Sequence, residues 1–143
     1  MADNPQDAAS LKSIMDAVTS ASSKHAENME RAAKAQGEFV TDQQKSRIEN
    51  EKVLEINQQI VEAAEALERY TNSANLSLEK RRDIEDDLKR AQDAVVDSMV
   101  DAGIRRDEAL EKQKHLNELT EDEVQFLKAQ NDERKHHNKL LTE

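Results

Sequence analysis

Residues 53–70, VLEINQQIVEAAEALERY, decide the fold. Val53, Ile56, Ile60, Ala63, Leu67 and Tyr70 recur at alternating steps of three and four, with Glu51, Glu55, Glu62, Glu65 and Glu68 on the flanks. A step averaging 3.5 keeps one stripe on one side of a helix, so that helix is made to lie beside another. The register runs on to residue 126 through Ala74, Ser77, Arg81, Ile84, Leu88, Ala91, Val95, Ser98, Ala102, Arg105, Ala109, Lys112, Leu116, Leu119, Glu123 and Phe126. About three quarters of the positions from 53 to 126 are apolar. Met99 continues the stripe after Val95, and Val96 and Val100 widen it into a second contact face.

Little else in the chain can drive folding. The 143 residues are 36% charged and 2% aromatic, with two glycines, one proline and no cysteine. Ala, Glu, Lys, Leu and Arg make up about half of the chain, the profile of long helices. Leu, Ile, Val and Phe sum to roughly a fifth, near the level at which a charged chain stays disordered. Periodicity decides between these readings, because a disordered chain has no reason to hold a stripe in phase. The expected fold is all-α: long helices in a coiled coil or open helical bundle, over residues 1–143 as a single elongated domain.

The boundaries follow from capping chemistry. Asn4 and Pro5 suit a helix start, and Asp7 in the first turn complements the macrodipole. A helix over 5–36 carries Leu11, Met15, Val18, Ala26, Met29 and Ala33, interrupted at Ser22. Gly37 is either a hinge or helix end, or a single tolerated glycine in a longer helix. Thr41 with Gln44 reads as a capping box. A helix over 41–118 follows, with a bend allowed at 71–77 or at Gly103. The run 71–77, TNSANLS, is the most polar uncharged stretch and suits a turn. The heptad phase nevertheless passes straight through it, which favours a continuous helix over a hairpin. Thr120, with Glu123 three residues on and Leu119 and Val124 as a hydrophobic staple, starts a separate short helix over 120–142.

The expected helix–helix contacts are Val53, Ile56, Ile60, Leu67, Tyr70, Ile84, Leu88, Val95, Met99, Leu116, Leu119 and Phe126. Arg81, Arg105 and Lys112 at stripe positions read as devices that fix register, or as solvated spots.

Catalytic and metal chemistry find little footing. Glu133 and His136 have the spacing used in di-iron bundles, but one copy in a charged tail reads as a solvated face. His136 and His137 are adjacent and point to different helix faces. No glycine-rich phosphate loop can be built from two glycines, and no serine–histidine–aspartate order stands out. The net charge of −10 disfavours nucleic acid and anionic membrane. No cofactor, metal or small-molecule substrate is expected, and the chain is expected not to be an enzyme. Without an apolar run of membrane-spanning length or a signal-peptide core, a cytoplasmic or intravirion setting is expected.

The acidity, helicity, absence of Cys and Trp, and the mildly basic last helix with Lys135, His136, His137 and Lys139 resemble helical phage components: scaffolding, internal-core and ejection proteins. That resemblance implies a structural protein that self-associates through the stripe between 53 and 100 into an oligomer, filament or virion layer. Its expected partners are itself or other helical proteins. The hairpin alternative resembles coiled-coil stalk and export-chaperone proteins of secretion machines, which implies an adaptor holding a client helix.

Overall fold

A computed structural model describes residues 5–142, with side chains from residue 11 to residue 141. The expected cap at Asn4 and the side chain of Asp7 lie outside these. Five α-helices follow in order: α1 (Pro5–Ala35), α2 (Asp42–Thr71), α3 (Leu78–Asp101), α4 (Arg106–His115) and α5 (Glu121–Thr142), with a 3-10 turn (Leu116–Glu118) between the last two. Among the described residues there is no strand. The fold is all-α.

The single helix expected over 41–118 is broken twice. The first break is the polar run. Thr71 donates its hydroxyl to the Leu67 carbonyl, Ser73 donates its own to the Tyr70 carbonyl, and the Ser77 hydroxyl accepts from the Lys80 amide to cap α3. Short hydroxyl side chains here take over backbone groups that a continuous helix would have used. Unbroken phase does not exclude a turn. A hairpin only has to bring the α3 stripe back to the α2 stripe, and six linking residues do so. Arg81 lays its guanidinium over the Tyr70 ring, 5.1 Å from the centroid, at the closed end of this hairpin. Two stripe positions thus meet within one chain.

The second break is Gly103. Its φ of 101° lies in the region that favours glycine. The Gly103 amide bonds to the Val100 carbonyl and the Ile104 amide to Met99, closing α3 in a Schellman motif with both Met99 and Ile104 buried. Gly37, at φ 79°, closes α1 in the same way through the Lys34 and Ala33 carbonyls. Of its two readings, the helix end is the one observed. The capping box at Thr41 is present in both directions, at 2.9 and 3.1 Å.

Helix α2 is the spine. It packs against α1, α3 and α5, and Val53, Ile56, Ile60, Val61, Ala63 and Ala66 are all buried. Lys45 reaches Glu30 across the α1–α2 pair at 3.6 Å. Helix α4 folds back along α1, where the Lys112 ammonium bonds to the Ser13 hydroxyl. The core gathers Ile14, Val18 and Ala21 of α1 with the α2 set, Val95, Val96 and Met99 of α3, and Ile104, Ala109, Leu116 and Leu127.

Several α1 positions differ from expectation. The buried stripe is Ile14, Val18, Ala21 with Ser22, and Ala26, whereas Met29 is largely exposed. Ser22 does not interrupt it: its hydroxyl bonds back to the Val18 carbonyl at 2.8 Å, so the residue is buried as a small, satisfied one. Arg105, placed on the stripe by phase, is exposed because the chain has left the helix there.

Replacing fully buried Ile60 by Ala should cost about 3 kcal/mol, read from urea unfolding followed by circular dichroism. Replacing half-exposed Phe126 by Ala should cost no more than about 0.5 kcal/mol in the same assay.

Candidate functional site

The contact residues read from the sequence separate into three groups. Val53, Ile56, Ile60, Leu88, Val95, Met99 and Leu116 are buried. Leu67, Tyr70, Ile84 and Leu119 are half-buried. Phe126 is 48% exposed and is no seam residue: Leu127, one position on, is fully buried in its place. The cause is the new helix start. Thr120 accepts from the Glu123 amide and Glu123 accepts from the Thr120 amide, at 3.2 and 3.1 Å. A fresh cap resets the rotational phase, so the register carried from residue 53 no longer applies.

Helix α5 keeps its own heptad. Val124, Leu127, Asn131, Arg134, Asn138 and Leu141 follow steps of three and four, and each is buried or half-buried. The helix runs antiparallel to α2. Lys128 pairs with Glu65 at 3.0 Å, Asn50 donates to the Arg134 carbonyl at 3.0 Å, and Arg134 donates to the Asn50 amide oxygen at 3.1 Å. Gln43 donates to the Leu141 carbonyl at 2.9 Å. Half of this seam is polar, which hid it from a search for apolar spacing. Among the described residues, buried side-chain oxygens of Glu123, Gln130, Asn131 and Asn138, all on α5, have no hydrogen-bond partner. Such orphans cost free energy and weaken the hold of α5 on α2.

Where α5 begins, a groove of about 340 Å³ opens between the last turns of α2, the 3-10 turn and the first turns of α5. Ala64, Leu67, Leu116, Leu119 and Val124 give it an apolar lining. Glu65, Glu68 and Glu121 stand with them, and Lys128, which also lines it, is taken by Glu65. Three expected contact residues therefore meet here: Leu67, Leu116 and Leu119. Ala64 and the staple residue Val124 complete the set. The groove joins residues 64–72 to 116–128, so nothing in local spacing could have announced it.

A second hollow of about 290 Å³ lies between α1 and α4, lined by Ser13, Asp16, Ala17, Ser20, Ile104, Glu108 and Lys112. Lys112, one of the stripe cations, is used there to bridge to Ser13. Glu133 and His136 are both exposed. Among the described residues no group of three His, Cys, Asp or Glu is placed to hold a metal ion, and no helix is long and apolar enough to cross a membrane.

No protein-family model, curated protein or solved structure matches the chain.

Replacing Asn50 by Ala removes both of its bonds to α5. Amide hydrogen exchange should then quicken about tenfold across α5, while the buried turns of α2 and α3 keep their protection. Equal loss of protection throughout would show that α5 does not open on its own.

Proposed function

We propose that the chain is a non-enzymatic interaction protein of a larger assembly, a helical adaptor that holds a helix of another chain in the groove between α2 and α5. The observation that carries this reading is the open apolar lining of Ala64, Leu67, Leu116, Leu119 and Val124, walled by two antiparallel helices. Two such walls offer the arrangement in which an amphipathic helix lays its apolar face into a groove. The lining chemistry suits docking better than catalysis. Its hydroxyl, on Thr71, is turned back to the Leu67 carbonyl at 2.9 Å, and its ammonium, on Lys128, is already paired.

Self-association through the stripe at 53–100 is less favoured. Ile56, Ile60, Val95 and Met99 have no exposed surface, so a second chain could reach them only if the bundle opened. Self-assembly through other surfaces remains a second reading, and it has its own observation: Phe39 is 86% exposed and Leu78 65% exposed, with Leu140 also open on α5. Phe39 and Leu140 belong to the end of the bundle where Gln43 meets Leu141, and Leu78 opens α3 at the other end.

Light scattering across concentration separates the two. A constant mass near the 16.2 kDa of one chain supports the adaptor, and growth with concentration supports self-assembly. Titration with a synthetic helix carrying leucine anchors and an uncharged glutamine face should shift the backbone amides of 64–72 and 116–128. Leu67→Asp should abolish those shifts while circular dichroism stays helical.

A further inference from the structure

We propose that the helix seated in this groove is a basic amphipathic one, with aliphatic anchors on Leu67, Leu119 and Val124 and lysines or arginines facing Glu68 and Glu121. This rests on the groove reading above and adds the chemistry of the partner. Three carboxylates line the groove, and only Glu65 is paired, with Lys128 at 3.0 Å. Glu68 and Glu121 carry no ion pair among the described residues and stand beside an apolar floor. Both side chains are exposed at the groove, so their charge is open to an occupant, and Glu68 has no helix N-terminus of its own to offset.

The helix termini leave the field to these carboxylates. The last turn of α2 ends at the groove with Thr71 and Asn72, and the carbonyls of Leu67, Glu68 and Tyr70 there are taken by the Thr71 hydroxyl, the Asn72 amide and Ser73, so the charge on this wall is that of Glu65 and Glu68. The partial positive charge at the start of α5 is offset by Glu121, Asp122 and Glu123 in its first turn. A net charge of −10 steers a basic segment towards the molecule from a distance and keeps copies of the chain apart. Wall length sets the footprint. Residues 64–72 span about 12 Å of helix, so the occupant meets the groove over roughly two turns, with anchors at i, i+3 or i+4, and i+7.

The test uses the full chain and three synthetic helices about four turns long, with identical leucine anchors and a polar face of Lys, Gln or Glu. Affinity should fall in the order Lys, Gln, Glu, with the Lys peptide about three- to tenfold tighter than the Gln peptide at low salt. In E68Q/E121Q the Lys peptide should drop to the affinity of the Gln peptide, and amide shifts should stay within 64–72 and 116–128. The variant D83K/E85K/D86K alters exposed acids of α3, which does not line the groove, and should leave the order unchanged. If the Gln peptide binds this groove as tightly as the Lys peptide, the basic partner is overturned and the groove reading stands. If the α3 variant weakens the Lys peptide as much as E68Q/E121Q does, the attraction belongs to the whole molecule and the basic partner of Glu68 and Glu121 is overturned while the groove reading stands; if no peptide shifts the amides of 64–72 and 116–128, both are overturned.

Discussion

Everything in this bundle is arranged around the burial of α2. A chain with so few aromatic and large aliphatic residues cannot bury several helices deeply, and it gives one helix, α2, the largest buried set, with Glu51, Glu55, Gln58 and Glu62 left in solvent. Val53, Ile56, Ile60 and Ala63 form one stripe of α2, and Val61, continuing the line of Asn50 and Asn57, forms a second beside it. Two stripes need more than one covering helix. Helices α1 and α3 cover the apolar side, and α5 lies along the flank that carries Asn50. The outer helices can afford charged faces because each has to present only one narrow stripe inward.

The two kinds of cover differ in what holds them. Between α2 and α3, apolar side chains leave water, and the contact owes its stability to area. Between α2 and α5, Asn50 and Arg134 exchange hydrogen bonds and Asn138 donates to Glu51, while the amide oxygens of Gln130, Asn131 and Asn138 on α5 have no partner among the described residues. A polar seam of this kind adds little net stability but penalises any slip along the helix, since a shifted register would strand more polar groups. The groove lies where α5 begins, between its first turns and the last turns of α2, with only the 3-10 turn alongside. It exists because no further helix lies over that end of the pair.

The caps at Thr41 and Thr120 were legible in the sequence because a cap is a local contract between residues three apart. The α2 stripe was legible because it is long and apolar. The polar run at 71–77 was visible, yet its meaning was not: phase continuity looks the same for a straight helix and for a hairpin whose stripes face each other. In α1, attention to Met29 hid Ile14 and Ala21, since a stripe of small residues can be drawn through more than one face. Phe126 was misplaced by carrying one register across a capped break. The α5 seam escaped because Asn131, Arg134 and Asn138 do not look like seam residues. The groove joins segments about fifty residues apart in sequence and becomes visible only once the chain is folded.

Tyr70 has a consequence beyond its stacking with Arg81. It is the sole tyrosine of a chain without tryptophan, and Thr71 and Asn72, next to it, line the groove. Tyrosine fluorescence from this molecule therefore originates at one ring, held under one guanidinium at one end of the bundle. Nature has installed a single optical probe here, and it watches the lip of the groove while staying blind to the far end of α5.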